Sequence, residues 1–207
     1  MVICPMPDSI TGADAFLKRL LDLVFSLVLL LLTLWIILLA WAAATINTGS
    51  NGLFIQNRVG RYGKLFPLFK IRTMRPVEGV DTTVTTEHDP RITKLGAFFR
   101  RTKIDELPQL INVFLGQMSF VGPRPDVPGF ADRLIGEDRI ILSVRPGITG
   151  PATLKYRDEE ALLASQSDPE TYNREVVFPD KVRINRDYIR EYSFMKDLWY
   201  IWKTIVG

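Results

Sequence analysis

A long uncharged stretch near the start of the chain limits the folds that are open to it. No charged residue lies between Asp22 and Arg58, and residues 23–46 are apolar apart from one serine and two threonines. As a helix, this run would be about 36 Å long, which is enough to cross a hydrocarbon core of about 30 Å. The sequence therefore predicts a membrane-embedded helix over residues 15–47, after a short lead-in over residues 1–14.

The segment that follows, residues 48–207, holds most of the 26 basic and 23 acidic residues and is predicted to form a water-facing domain. The formal net charge of +3 fits several kinds of anionic partner. Because no nucleic-acid-binding motif occurs, we expect no nucleic-acid partner. The single cysteine, Cys4, excludes an internal disulfide framework. The single histidine, His88, excludes a zinc site with several histidine ligands, and its polar surroundings favour a solvated loop position.

The pattern of apolar residues in this domain predicts an α+β fold that is mainly helical and has short strands. Leu53–Ile55 and Leu65–Ile71 are typical of strands. Ile92–Thr102 has the apolar spacing of an amphipathic helix. A second helix is expected from Glu106 to Leu115, with Pro108 in its first turn, where the missing N–H has no cost.

The last predicted helix, Phe194–Ile205, leaves two alternatives open. Its apolar residues recur at helical spacing, and Lys196, Trp199 and Lys203 lie among them. Such a helix can lie at a bilayer surface with its aromatic rings at headgroup depth and its lysines toward phosphates. It can equally pack on the core of the domain. The pattern alone does not separate an interfacial helix from an ordinary core helix.

The adjacent carboxylates of Asp105 and Glu106 form the strongest local signal for chemistry. With Pro108 in a first helical turn, they would lie at a helix N-terminus, which favours anions. An ionised aspartate is a competent nucleophile toward phosphorus, and a neighbouring carboxylate can hold Mg²⁺ together with phosphate oxygens. Arg100 and Arg124 offer guanidinium groups that match phosphate geometry. The alternative is an acidic capping turn after a basic helix, with its ion pairs in solvent.

An ordered series of motifs resembles the monotopic phosphoglycosyl transferases, the bacterial sugar transferase family. The densest motif is residues 100–113, which read Arg-Arg-Thr-Lys-Ile-Asp-Glu-Leu-Pro-Gln-Leu-Ile-Asn-Val. The other matching motifs are residues 16–19 with Asp22, 56–60, 69–74, 89–96, 118–125, 144–150 and 194–198. Because so many motifs occur in the same order, the resemblance is specific.

The resemblance implies a two-step exchange in a membrane-bound enzyme. Asp105, which matches the family's nucleophile, attacks the β-phosphate of a UDP-sugar, releases UMP and carries a phosphosugar. Polyprenyl (undecaprenyl) phosphate then accepts this group, which begins the assembly of a bacterial glycoconjugate such as O-antigen, capsule, exopolysaccharide or glycoprotein. Glu106 matches the second member of the dyad, which is associated with Mg²⁺, so both carboxylates are candidate metal ligands.

The resemblance also implies roles for basic residues and for partners. Arg100 and Arg124 match phosphate-contacting arginines, and Arg145 matches a position on the nucleotide side of the site. Lys70 and Arg72 are further candidates for substrate binding. The implied partners are a UDP-sugar, polyprenyl phosphate and membrane lipids, while downstream glycosyltransferases and a second copy of the chain in a homodimer stay open. The implied location is the bacterial inner membrane, with the catalytic domain on the cytoplasmic face.

The path of the apolar helix is the point on which hydropathy and charge disagree. Family members break this helix with Ser-Pro, whereas this chain has Thr33-Leu34-Trp35 at the corresponding place. Without proline the helix has less reason to bend, which favours a straight span. Basic residues on both sides, including Lys18 and Arg58, favour two cytoplasmic ends. Weighing the two, we predict a re-entrant helix.

Two further questions stay open at the level of sequence. Pro151–Arg157 departs from the commoner family sequence Leu-Ala-Gln-Val-Asn-Gly-Arg, so no particular sugar is predicted. A membrane-anchored scaffold without activity, which binds anionic lipid or a partner glycosyltransferase, would also keep the apolar helix and the basic residues. Such a scaffold would have no use for the adjacent pair Asp105 and Glu106.

Overall fold

The computed structural model describes residues 10–75 and 89–207, and these residues form a mainly helical fold with short strands. The α-helices are α1 (Gly12–Thr48), α2 (Lys94–Thr102), α3 (Gln109–Phe114), α4 (Pro151–Lys155), α5 (Glu159–Ala164), α6 (Pro169–Tyr172), α7 (Phe178–Arg190) and α8 (Phe194–Val206). The strands are β1 (Leu53–Val59), β2 (Leu65–Ile71), β3 (Ser119–Val121) and β4 (Gly147–Thr149). Cys4 and His88 lie outside the described residues, so the predictions made for them stay predictions.

The two faces of α1 differ in polarity and in exposure. A stripe at helical spacing faces the rest of the chain and is buried: Lys18, Asp22, Ser26, Ile37, Ala40, Ala44 and Thr48. The opposite face is exposed and apolar, with Leu31 70% and Trp35 62% exposed. Among the described residues, α1 is the one helix long and apolar enough to cross a membrane. The predicted helix over residues 15–47 is therefore present, and the structure extends it slightly at both ends.

α1 is continuous from Gly12 to Thr48, with no break in its helical assignment near the middle. The helix continues through Thr33, whose hydroxyl donates to the carbonyl of Leu29 at 2.7 Å. Without proline no backbone hydrogen bond is lost and no ring clashes with the preceding turn. The helix ends instead at Gly49, whose φ of 67° lies in the left-handed region that commonly terminates helices. The re-entrant path is therefore not confirmed.

Both ends of α1 are attached to the rest of the chain. Near its start, Lys18 donates to the carbonyl of Val121 at 2.8 Å. Near its end, Ala44 packs with Ile71 and Phe99 in an apolar cluster. The inner face of α1 is thus covered by the domain that follows, while its outer face has no such cover.

The hairpin of β1 and β2 is antiparallel, with Leu53 opposite Ile71. The prediction for β2 is confirmed, whereas β1 is longer than the predicted strand over residues 53–55. Pairing with β2 carries the polar residues 56–58 into the strand. Here the cross-strand hydrogen bonds outweigh the low strand propensity of the polar residues.

β3 and β4 form a parallel pair that was not predicted. They bring two turns together, residues 122–125 and 145–150. Gly122 and Gly147 allow this approach, because a Cβ atom on Gly147 would lie 2.2 Å from the amide nitrogen of Gly122. The two glycines therefore mark a close contact between backbones, which holds the turn that carries Arg124.

Two predicted helices differ from the observed ones in a way that affects the candidate site. α2 begins at Lys94, because the hydroxyl of Thr93 caps it by accepting from the N–H of Gly96 at 2.9 Å. The helix expected over residues 106–115 divides into a 3₁₀ turn, Ile104–Glu106, and α3. Pro108 lies before α3 rather than in its first turn. The two carboxylates therefore lie in the first turn of a 3₁₀ helix, as a helix N-terminus predicts, but not in α3, which begins at Gln109.

α8 packs one face on the core and exposes the other. Tyr200 and Ile201 pack against an apolar cluster formed largely by α7 and the segment before β4, and Asp197 is buried. Met195 is 68% and Ile205 79% exposed. Packing of α8 on the core is thus confirmed, whereas contact of its exposed face with a membrane stays a prediction.

Candidate active site

A residue with left-handed backbone conformation directs the segment that carries the paired carboxylates. Lys103 has a φ of 57°, and its N–H donates to the carbonyl of Arg100 at 3.2 Å, which closes α2. The 3₁₀ turn begins at the next residue. Residues other than glycine rarely adopt this conformation. The abrupt change of direction leaves Asp105 buried, with 5% of its surface exposed.

Glu106 is the centre of a cluster of ion pairs. Its Oε1 lies 2.7 Å from Nη2 of Arg124 and 3.3 Å from Nζ of Lys70. The same Nζ lies 3.7 Å from Oδ2 of Asp105. The structure therefore brings four of the predicted site residues together, one from β2, two from the 3₁₀ turn and one from the turn after β3.

The pKa values of the two adjacent carboxylates shift in opposite directions. Burial raises the pKa of Asp105 above its ordinary value, and Lys70 opposes this only in part. Burial also acts to raise the pKa of Glu106, but Arg124 and Lys70 outweigh it and hold that pKa well below its usual range. Titratable neighbours whose environments separate their pKa values are typical of sites in which the two groups have different tasks.

Asp105 has a carboxylate oxygen that is not engaged. Among the described residues, no group donates a hydrogen bond to its buried Oδ1. A buried polar atom without a partner costs about 1–3 kcal/mol, which is unfavourable for a carboxylate with a purely structural role. Arg124 thus engages Glu106, whereas Asp105 is the carboxylate with an oxygen left for a further interaction.

Arg100 lies within electrostatic reach of Asp105, but other residues bond its guanidinium group. Its Nε donates to the hydroxyl of Thr73 at 3.1 Å, and its Nη1 donates to the two carboxylate oxygens of Glu160 at 3.0 and 3.2 Å. Its positive charge lowers the pKa of Asp105. The contact of Arg100 with phosphate stays a prediction, and in this structure its guanidinium group bonds to an acidic side chain.

Arg72 and Arg145 make their hydrogen bonds elsewhere. Nε of Arg72 donates to the carbonyl of Asn51 at 2.7 Å, at the turn between α1 and β1. Nε of Arg145 donates to the carbonyl of Gly116 at 2.8 Å, at the end of α3. In the described part of the chain neither belongs to the Glu106 cluster, and their substrate contacts stay predictions.

Arg58 belongs near the site although sequence reasoning gave it no role. Its Nη2 donates to the side chain of Gln56 at 2.7 Å and its Nη1 to the carbonyl of Pro125 at 3.3 Å. Burial, and then the neighbouring Arg124, lower its pKa to about 10. Its buried Nε has no acceptor among the described residues. The motif at residues 56–60 was the available signal, but it did not show that this strand lies against the turn that carries Arg124.

Asp126 is a second residue that the sequence did not single out. Burial raises its pKa to about 6, and Lys181 and Arg58 oppose this shift. Its carbonyl accepts from the N–H of Val59 at 2.9 Å. This backbone bond ties the turn that carries Arg124 to the end of β1, so the position of that arginine depends on the hairpin.

The oxygen atoms at the site suit a divalent cation. In residues 10–75 and 89–207, no three His, Cys, Asp or Glu side chains are grouped closely enough to share an ion. Mg²⁺, however, is often held by one or two carboxylates, with water and substrate phosphate at the other positions. Asp105 offers the unpaired Oδ1, and Glu106 is the adjacent carboxylate. The donor set therefore fits a cation that is bound together with a phosphate substrate.

Comparison with known proteins gives a consistent result. The family described as bacterial sugar transferase matches residues 13–207. The chain is 34% identical over 210 residues to the UDP-glucose:undecaprenyl-phosphate glucose-1-phosphate transferase of Escherichia coli (strain K12). The aligned region covers 98% of this chain and 42% of that protein. It is 31% identical over 208 residues to the undecaprenyl-phosphate galactose phosphotransferase of Salmonella typhimurium, covering 93% and 40%.

A third relative has a similar length. The chain is 34% identical over 204 residues to the exopolysaccharide production protein PSS of Rhizobium leguminosarum bv. phaseoli, covering 94% of this chain and 96% of that protein. The chain therefore spans about two fifths of the first two relatives, at 42% and 40%, and nearly all of the third.

Proposed function

Because this chain belongs to the bacterial sugar transferase family, we propose that it transfers a sugar-1-phosphate from a UDP-sugar to undecaprenyl phosphate and releases UMP. Two relatives are named for sugar-phosphate transfer with undecaprenyl phosphate, and a third for exopolysaccharide production. The observation that carries the proposal is the buried Asp105, which has an unpaired oxygen beside the ion pair of Glu106 and Arg124.

The proposed reaction has two displacements at one phosphorus atom. In the first, a carboxylate oxygen of Asp105 bonds to the β-phosphorus of the donor. The bond from that phosphorus to the oxygen shared with the α-phosphate breaks, and UMP leaves with the electron pair. In the second, a phosphate oxygen of undecaprenyl phosphate bonds to the same phosphorus. The bond to Asp105 breaks, and the aspartate becomes a carboxylate again.

The surrounding charges support this assignment of the nucleophile. Displacement at phosphorus is catalysed mainly by positioning and by neutralisation of charge. Lys70 and Arg124 are held near the dyad by Glu106, and Arg100 acts on Asp105 electrostatically. The burial that raises the pKa of Asp105 also removes water from its carboxylate, and a less hydrated carboxylate is a stronger nucleophile.

We also propose Mg²⁺ as the cofactor. Asp105 and Glu106 would hold the ion, and when bound it would offset the negative charge of the donor diphosphate. The residues of the chain would then orient the phosphate groups, while the buried 3₁₀ turn keeps the two carboxylates adjacent.

For the membrane arrangement, we propose that both ends of α1 lie on the same side of the bilayer, the cytoplasmic face of the inner membrane. The support is that one domain contacts α1 near both ends, through Lys18 and through Ala44. A domain on one side of a membrane cannot reach both ends of a helix that crosses it. The exposed apolar face of α1 would then contact lipid. In a Cys4→Ser background, a cysteine introduced at the exposed Ala13 should be protected from a periplasmic thiol reagent, and ready labelling from outside would contradict this arrangement.

The test of the function is release of UMP across a set of UDP-sugars, in detergent with Mg²⁺ and undecaprenyl phosphate. The protein should release UMP from at least one donor. In the absence of the lipid acceptor, a donor labelled in its β-phosphate should leave the label on the protein. Asp105→Asn should abolish both signals. Asp187→Asn removes an exposed carboxylate of α7 and serves as the control that should keep both.

The alternative is a scaffold that anchors to the membrane without activity. The apolar outer face of α1 is the observation that favours it, because this face needs no catalytic site. A scaffold would release no UMP from any donor, and Asp105→Asn would leave its binding to lipid vesicles unchanged. Absence of UMP with every donor would therefore replace the proposed function with this one.

A further inference from the structure

An acidic side chain from a distant part of the sequence forms an ion pair with an arginine of the candidate site. Glu160 lies in α5, and its carboxylate accepts from Nη1 of Arg100 at 3.0 and 3.2 Å across a separation of 60 residues. The neighbouring Glu159 lies 2.6 Å from Nζ of Lys181 in α7. The second ion pair ties the start of α5 to α7, and it thereby holds Glu160 near Arg100.

The guanidinium group of Arg100 is oriented toward a partner of this kind. Its Nε is fixed by the hydroxyl of Thr73 at 3.1 Å, which leaves Nη1 for the carboxylate of Glu160. A carboxylate and a phosphate present similar oxygen geometry to a guanidinium group. The carbonyl of Arg100 accepts from the N–H of Lys103 at 3.2 Å, directly before the 3₁₀ turn that carries Asp105. Glu160 therefore takes a place that a phosphate oxygen near the nucleophile could take.

The exposure of this ion pair makes it exchangeable. The side chain of Glu160 is 50% exposed and that of Arg100 23% exposed. Ion pairs that solvent reaches are weak, because water and salt screen them. Glu106 differs, since its side chain is 11% exposed and it bonds both Arg124 and Lys70. An arriving phosphate can thus displace Glu160 from Arg100 at small cost, whereas Glu106 stays in place.

We propose that Glu160 sets the affinity for the donor by competing with its phosphate groups for Arg100. This proposal rests on the proposed function, because it needs a phosphate-bearing substrate at the dyad. In the free protein the carboxylate of Glu160 neutralises Arg100. When the donor binds, its phosphate replaces Glu160, and the freed carboxylate turns to solvent. Glu160 is therefore a specificity residue that does not touch the reacting atoms.

The first experiment compares steady-state kinetics of Glu160→Gln with the unmodified protein. Removing the competing charge should lower KM for the UDP-sugar about two- to fivefold, as expected for loss of one exposed ion pair, and should leave kcat unchanged. The matched control is Glu137→Gln, which removes the same charge from a Glu–Arg pair at the surface, 2.9 Å from Arg190. The control should leave both constants unchanged.

Two further variants separate direct competition from a general effect of charge. Glu160→Asp keeps the negative charge but shortens the side chain, so it should resemble Glu160→Gln if contact with Arg100 is what matters. In an Arg100→Met background, Glu160→Gln should have no effect on KM. An unchanged or raised KM in Glu160→Gln would overturn the proposal, and so would an equal effect with and without Arg100.

A binding measurement keeps this proposal separate from the proposed function. UDP is titrated into Asp105→Asn and into the double variant Asp105→Asn/Glu160→Gln, neither of which turns over donor. The double variant should bind UDP about two- to fivefold more tightly. Tighter binding without any UMP release by the unmodified protein would support Glu160 as a competitor and would contradict the transferase. UMP release by the unmodified protein, together with equal binding of UDP by the two variants, would support the transferase and contradict the role of Glu160 as a competitor.

Discussion

Two buried aspartates of this chain, Asp197 and Asp105, have similar exposure but differ in their ion-pair and hydrogen-bond partners. The side chain of Asp197 is 3% exposed, and its carboxylate lies 2.6 Å from Nζ of Lys18. It also accepts from the hydroxyls of Tyr188 at 2.6 Å and Tyr192 at 3.2 Å. The side chain of Asp105 is 6% exposed, yet its nearest cation, Nζ of Lys70, lies 3.7 Å away.

The two carboxylates differ in whether both of their oxygens have hydrogen-bond donors. Both oxygens of Asp197 have donors, and the pair with Lys18 joins α1 to α8. Oδ1 of Asp105 has no donor among the described residues. Because an unsatisfied buried group lowers stability, this oxygen adds nothing to the stability of the fold. Asp197 joins two elements of the fold, whereas Asp105 keeps the unpaired oxygen on which the proposed function rests.

Asp22 also has an unpaired oxygen, although its carboxylate joins two elements of the fold. Its Oδ2 also has no donor among the described residues. Its Oδ1, however, accepts from the hydroxyl of Ser119 at 3.0 Å and from the N–H of Phe120 at 2.9 Å, which ties α1 to β3. An unpaired oxygen therefore points to chemistry only where the rest of the carboxylate is not already engaged in joining two elements.

Asp105→Asn should have the largest effect on activity, with little loss of stability. Loss of the proposed nucleophile should lower UMP release at least about a thousandfold. The fold should stay as stable or become more stable, because the variant removes a buried charge that has an unpaired oxygen. Thermal unfolding in detergent, followed by tryptophan fluorescence, checks the second part. Inactivity together with a large loss of stability would assign Asp105 a structural role.

Asp197→Leu should show the reverse behaviour. It leaves Lys18 buried without a partner, which should lower the free energy of unfolding by about 3–5 kcal/mol. The double variant Lys18→Met/Asp197→Leu should recover most of this loss, because it buries no unpaired charge. UMP release per folded molecule should be unchanged in the double variant. Equal stability of the single and double variants would show that the ion pair does not hold α1 to α8.

The outcome of sequence reasoning differs between these two regions for a physical reason. The adjacent carboxylates, Lys70 and Arg124 were identified from local motifs and do lie together. The ion pair of Lys18 and Asp197 joins residues 179 positions apart. No local spacing reports a contact at that distance along the chain. The same holds for Glu160, whose partner lies 60 residues away.

The fold was predictable to the extent that local pattern decides it. The apolar stretch predicted α1, and the apolar run beside the turn at residues 60–63 predicted β2, whose partner β1 lies close to it in the sequence. The parallel pair of β3 and β4 was missed, because three-residue strands are defined by their pairing and not by their own sequence. The helix expected at Glu106 was misplaced because Lys103 adopts a left-handed conformation that its residue type does not indicate.

Arg124→Lys should have a smaller effect than loss of either aspartate. The ammonium group keeps the positive charge beside Glu106, but it lacks the planar fork that can contact a carboxylate and a phosphate together. We expect kcat/KM for UMP release to fall about ten- to a hundredfold, with little change in thermal stability. Arg190→Lys, in an exposed pair with Glu137, is the matched control. A rate within about twofold of the unmodified protein would mean that charge alone suffices at this position.

Lys70→Met should give the smallest effect, a displacement of the pH profile. The nucleophile must be ionised, and burial raises the pKa of Asp105 above its ordinary value of 3.8, so activity should fall on the acid side at a pH above that value. Lys70 opposes the rise, and its removal should move the acid limb of kcat to higher pH.

The raised pKa of Asp105 also predicts how the free energy of unfolding depends on pH, which can be measured independently of activity. Because the pKa of Asp105 is higher in the folded chain than in the unfolded one, its contribution to stability is present at low pH, where it is protonated. That contribution is lost as the pH rises through the folded pKa. Asp105→Asn should remove this loss.

The control for Lys70→Met is Lys64→Met, which removes an exposed lysine from the same hairpin and should leave the acid limb of kcat in place. A limb that moves equally in both lysine variants would trace the effect to net charge and not to the contact between Lys70 and the dyad.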